Sequence, residues 1–161
     1  DMNGPLEVKG ERWLKFFDGK AIGPVNKNFK YNRDDEALAI CLKFNPDYWE
    51  NEYQNVYLNG GCYFRPNLAK DANKNIKPIA FYSSNFNNQL KDNLIIQCEN
   101  ELAIIECKVG NGHCLLSGVH FEFDPTPNLN LTKDVHDCLT ETFKEHGYLL
   151  IKSLLTKVFN F

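Results

Sequence analysis

The chain has 161 residues, enough for one domain that buries roughly two-thirds of the surface its unfolded form exposes. Its content of 43% hydrophobic and 24% charged residues is ordinary for a globular chain, and no run approaches the roughly 20 apolar residues of a spanning helix, so no membrane association is expected. The net charge of -3 comes from interspersed acids and bases, without the basic face that neutralises phosphates, so nucleic acid is not an expected partner.

The opening Asp1-Met2-Asn3-Gly4-Pro5 has neither the basic region nor the apolar stretch of a signal peptide, and it reads as the start of a piece cut from a longer protein. Apolar runs rich in β-branched and aromatic residues follow at Ala37 to Phe44, Asn55 to Phe64, Ile79 to Tyr82 and Leu94 to Cys98, and each is predicted as a strand. Stretches rich in asparagine, lysine and proline, at Asn26 to Asn32, Asn67 to Lys77, Asn85 to Asn93 and Pro125 to Asn130, read as surface connections. Two strand-like runs, Leu102 to Val109 and His113 to Gly118, flank Gly110-Asn111-Gly112. Glycine and asparagine accept the positive φ of a tight turn, so the pair is predicted as a β-hairpin. After Pro125 the period changes: Thr132 can cap a helix, and Val135, Cys138, Leu139, Thr142 and Phe143 recur at helical spacing. A second helical run, Tyr148 to Phe159, follows Gly147.

Strands thus come first and helices last. A complete doubly wound domain would alternate them, because parallel strands need crossovers of a dozen or more residues. The order implies part of an α/β domain, or a compact α+β one.

His120 and Glu122 stand two apart at the exit of the hairpin. On a strand this spacing puts both side chains on one face, where a carboxylate can orient an imidazole, as in a nucleophile-His-acid triad. The competing reading is a hydrogen-bonded structural histidine. His-x-Glu is also half of a zinc deaminase signature, but its downstream Pro-Cys-x-x-Cys is missing, and His113, Cys114, His136 and Cys138 lack zinc-site spacings. No metal site is expected. Asn59-Gly60-Gly61-Cys62-Tyr63-Phe64 brings glycines beside a cysteine, yet aromatics follow Cys62 where a nucleophile elbow needs a second glycine. A buried strand cysteine is the favoured identity.

The six cysteines, Cys41, Cys62, Cys98, Cys107, Cys114 and Cys138, sit mostly within apolar patterns and are expected as reduced thiols of a cytoplasmic protein. No phosphate-binding glycine loop is present. Asp47-Tyr48-Trp49 and Trp13 are candidate partner-surface aromatics, with core packing the default alternative.

Several segments together resemble the N-terminal domain of eukaryotic biotin-protein ligases (holocarboxylase synthetases), a domain similar to class I glutamine amidotransferases. The resemblance starts at Leu6-Glu7-Val8-Lys9-Gly10 and runs through Leu14-Lys15-Phe16-Phe17-Asp18-Gly19, Gly23-Pro24, Phe29-Lys30-Tyr31 and Tyr57 to Phe64. Its most specific part is Ala103 to Gly112 leading into Leu115-Leu-Ser-Gly-Val-His-Phe-Glu-Phe123, and the tail with Leu150, Leu154, Leu155 and Lys157 looks like the helical exit from that domain.

The resemblance implies an α/β, class I glutamine amidotransferase-like fold, incomplete here: a strand-rich segment with a hairpin, then C-terminal helices. Residues 1–161 would be the C-terminal portion of that domain without a ligase core, and residues 132–161 its helical exit. The family's nucleophile elbow, of Cys-Ala-Gly-Gly type, would lie upstream of this chain, and the family's His-Pro-Glu becomes His120-Phe121-Glu122. His120 and Glu122 are therefore candidate catalytic residues of a triad-like remnant that lacks its nucleophile.

No Gly-Arg-Gly-Arg-like biotinyl-adenylate loop occurs, so no cofactor is expected in this chain, while the parent enzyme would use ATP and biotin. The implied role is a non-catalytic accessory or regulatory part of a biotin-protein ligase. Its implied partners are the ligase core and the biotin-acceptor domains of carboxylases. The alternatives are part of a Cys-His-Glu amidohydrolase of glutaminase type, and a free-standing interaction module.

Overall fold

The structure is a computed structural model and describes residues 6–9, 16–25, 37–67, 74–83, 98–126 and 131–159. Its strands are β1 (Leu6–Lys9), β2 (Gly19–Gly23), β3 (Leu38–Phe44), β4 (Tyr53–Leu58), β5 (Tyr63–Pro66), β6 (Ile76–Tyr82), β7 (Leu102–Val109) and β8 (Gly112–Ser117). Helix α1 (Lys133–Thr142), a π-helical turn (Phe143–Gly147) and α2 (Tyr148–Phe159) follow without a break.

The hairpin forms where the sequence places it. Val109 pairs with Gly112 across Gly110-Asn111, and Gly110 has φ 58°, a value that a glycine adopts without steric cost. Asn55 to Phe64, predicted as one strand, is two. Gly60 and Gly61 have φ 77° and 65°, which ends β4 and starts a turn into β5. β6 begins at Ile76, earlier than the predicted Ile79, and its register shifts between Pro78 and Ala80. A bulge of this kind lets a proline, which has no N–H to donate, stand inside a sheet. The predicted strand at Leu94 to Cys98 lies outside the described residues except for Cys98, which is in a turn. Trp13 and the segments 26–32 and 85–93 also lie outside them.

The strands lie side by side in the order β1, β2, β5, β7, β6, β3, β4. β8 pairs along β7 on the edge away from β6, just past the point where Phe64 of β5 meets Leu102. The expected succession of strands and then helices is what the chain forms. The α/β expectation narrows to a mixed fold, because every strand pairing among the described residues is antiparallel. Short connections such as 45–52, 59–62 and 110–111 suffice for antiparallel neighbours, and no crossover helix is required.

The helical segment wraps one edge of this sheet. Side chains alternate across β3 and β4, so Ala39 and Tyr57 face one way and Ile40, Leu42, Val56 and Leu58 the other. Leu139 of α1 packs with Ala39 and Tyr57, whereas Leu150, Leu154 and Val158 of α2 join the main core with Ile40, Leu42 and Val56. The chain therefore passes from one face of the sheet to the other around β4, and the π-helical turn is the crossing point. Tyr48 and Trp49 are 6% and 4% exposed and belong to this main core, which decides for core packing over a partner surface.

Candidate functional site

The site grows out of the end of β8. Gly118 donates its N–H to the Ala103 carbonyl (2.8 Å) and accepts the Cys62 N–H (3.2 Å), which ties the hairpin exit to the chain entering β5. A Cβ at Gly118 would stand 1.8 Å from the Cys62 carbonyl oxygen, so only glycine fits there. Ser117 folds the next turn: its hydroxyl donates to the Val119 carbonyl (2.6 Å) and accepts the Val119 N–H (3.2 Å). The backbone is then set for His120 to donate its N–H to the Tyr57 carbonyl (2.9 Å), an isolated antiparallel bridge onto the outer edge of β4.

The two candidate side chains meet. His120 Nδ1 donates to Glu122 Oε1 at 3.0 Å, which leaves Nε2 as the ring's other functional atom. Both side chains are more than half exposed, at 53% and 56%. The Tyr57 ring lies 5.7 Å from the imidazole and stacks on Phe123 at 4.0 Å. A narrow cleft at this place is lined by His120 together with Asn55, Phe121, Leu139, Phe143 and Gly147.

No described thiol is activated for this imidazole. Cys62 lies half-buried just ahead of β5, in a strand-turn-strand rather than the strand-to-helix elbow of a nucleophile, and burial pushes its thiol up to about 11. Its carbonyl is held by the buried Tyr82 hydroxyl (2.7 Å). Burial likewise pushes Cys41 up to about 11, and Cys98 and Cys107 up to about 12. Cys114 and Cys138 move the same way for the same reason. None of the six cysteines is in a disulfide. Among the described residues no group of three or more His, Cys, Asp or Glu side chains is placed to hold a metal ion, and no helix is long and apolar enough to cross a membrane.

A second charged group, not evident from the sequence, surrounds Glu106. Glu106, only 3% exposed, accepts hydrogen bonds from the Tyr48 hydroxyl and from His113 Nδ1 (2.6 Å), with Lys77 Nζ at 3.6 Å. Burial alone would raise its pKa. The Tyr48 and His113 hydrogen bonds and the Lys77 charge outweigh that and hold the carboxyl below its usual 4.5. The available signal was a single acid inside the apolar run Ala103 to Cys107, with a histidine just across the turn.

Comparison with known proteins supplies the context. A family model described as "Biotin-protein ligase, N terminal" matches residues 1–158. The biotin-protein ligase of Schizosaccharomyces pombe is 31% identical over 118 residues, 73% of this chain and 16% of that protein. The chain thus aligns with about a sixth of its relative's length. No solved structure matches.

Proposed function

The chain belongs to the biotin-protein ligase N-terminal family, and on that footing we propose that it is a non-catalytic accessory region of a biotin-protein ligase. The parent enzyme would use ATP to join biotin to a lysine of carboxylase carrier domains, in the cytoplasm. This region would contact the ligase core or the acceptor and hold no cofactor of its own. Residues 1–161 would be the C-terminal portion of an amidotransferase-like domain, with 132–161 as its helical exit and His120 and Glu122 as the remainder of a triad.

The observation that carries the non-catalytic reading is the state of the thiols. Burial pushes Cys41 and Cys62 up to about 11 and Cys98 and Cys107 up to about 12, so these four stay protonated at neutral pH, and Cys114 and Cys138 move the same way; the thiolate is the nucleophile. The test compares biotin transfer to an acceptor carrier domain by the full parent ligase with and without residues 1–161. The expected result is a several-fold change in apparent KM for the acceptor, with biotinyl-adenylate formation unaltered. Identical kinetics would end the proposal.

One contact favours a second reading, a Cys-His-Glu amidohydrolase: the 3.0 Å bond that orients His120. In that case the intact protein hydrolyses glutamine-like amides and His120→Ala abolishes the activity. Hydrolysis no greater than that of the His120→Ala control rejects it.

A further inference from the structure

The two helices are held by unequal means. α2 buries Leu150, Leu154 and Val158, at 1%, 0% and 1% exposed, in the main core. It is also tied by the Ser153 hydroxyl, which donates to the Tyr48 carbonyl at 2.7 Å. α1 fully buries only Leu139, in a small satellite cluster with Ala37, Ala39, Tyr57 and Leu131, against which its Val135 and Cys138 are half-buried. Its N-cap residue Thr132 makes no side-chain capping bond, so the first turn lacks a contact that commonly secures a helix start. Asn55 Nδ2 to Cys138 Sγ, at 3.3 Å, is a polar contact that fastens its middle to β4.

Between the two helices lies the π-helical turn. Proteins open locally in contiguous units, and π-helical turns inside helices are frequent at functional sites, so this turn is a natural boundary between two such units. The turn is shaped by one close approach: a Cβ at Gly147 would meet the Phe143 ring at 2.2 Å, so the glycine is what lets the ring lie against the backbone. α1 also forms one wall of the cleft beside His120, through Leu139, with Phe143 and Gly147 continuing it.

We propose that α1 is a flap: it detaches from β3 and β4 as a unit, turning at Phe143–Gly147, while α2 stays seated in the core. Opening bares the stacked Tyr57 and Phe123 rings next to His120 and widens the narrow cleft into a surface. The flap does not depend on the role in biotin transfer argued above, and its test reads the helix directly.

Hydrogen exchange with mass spectrometry on the intact protein carrying this chain supplies that test. The amides of Lys133–Thr142 are expected to exchange about tenfold to a hundredfold faster than those of Tyr148–Phe159, since α1 fully buries one apolar side chain where α2 buries three. In Asn55→Cys, oxidation to a bridge with Cys138 should slow α1 to the rate of α2, and reduction should restore the difference. Equal exchange of the two helices in the parent protein overturns the proposal, as does an oxidised bridge that leaves α1 exchange unchanged.

Discussion

A carboxylate as deeply buried as Glu106 is tolerated only when its lone pairs are filled and its charge is offset; Tyr48 and His113 donate the hydrogen bonds and Lys77 supplies the nearby charge, from three different parts of the chain. Because the folded pKa is depressed below 4.5, the stabilisation is complete above that value and is lost as pH falls through the folded pKa. Glu106→Gln should therefore be less stable than the parent by about 1–3 kcal/mol at pH 7. The gap should narrow as pH falls below 4.5 in urea titrations, and a gap independent of pH would show that charge is not what Glu106 contributes. His120 behaves oppositely. The bond fixing its place is made by its backbone N–H, and its side-chain pair with Glu122 is open to water. His120→Ala should shift the urea midpoint by no more than about 0.5 kcal/mol equivalent, so any functional loss in that variant reports on chemistry. The His120 and Glu122 pair was legible because the two residues stand two apart, although a turn at 121–122 rather than a strand brings their side chains together. The Glu106 group was not, since its Tyr48 partner lies 58 residues away and only the folded register joins them.

Elements were legible where local chemistry decides them. The hairpin needs a glycine and an asparagine at one turn, and α2 needs a period of apolar residues; both are found at the predicted places. β1 and β2 were not named as strands, because runs of four and five residues with glycine at the ends of β2 carry too little pattern. The two helical runs read on either side of Gly147 are joined without a break, and the reason is Phe143. The ring needs the space a side chain at 147 would fill, so the helix absorbs the glycine as a π-helical turn. This decides the sign of a substitution. Alanine in place of a helical glycine ordinarily stabilises by about 1 kcal/mol, but Gly147→Ala should destabilise by about 1–2 kcal/mol as the ring is displaced. Phe143→Ala in the same chain should remove that penalty. A stabilised single variant in chemical denaturation would mean the ring yields freely.

At the scale of the whole molecule, the succession of strands and helices could be read from the chain, but the lateral order of the strands could not. β2 lies beside β5 and β5 beside β7 through pairings distant in sequence, which no local pattern encodes. What that order creates is a sheet whose last strand, β4, is met by His120 on its outer edge and straddled by the helical segment. Stability should divide along the same line. Leu154 is fully buried against the main core, and Leu154→Ala should cost about 3–5 kcal/mol, lowering the transition of the whole domain. Leu139 lies in the satellite cluster on the other face, where α1 can relax toward the space left behind. Leu139→Ala should cost about 2 kcal/mol, and hydrogen exchange should place that loss in Lys133–Thr142. If instead the two truncations lower the same global transition by equal amounts, both faces of the sheet unfold as one unit and the division of the core into two parts is wrong.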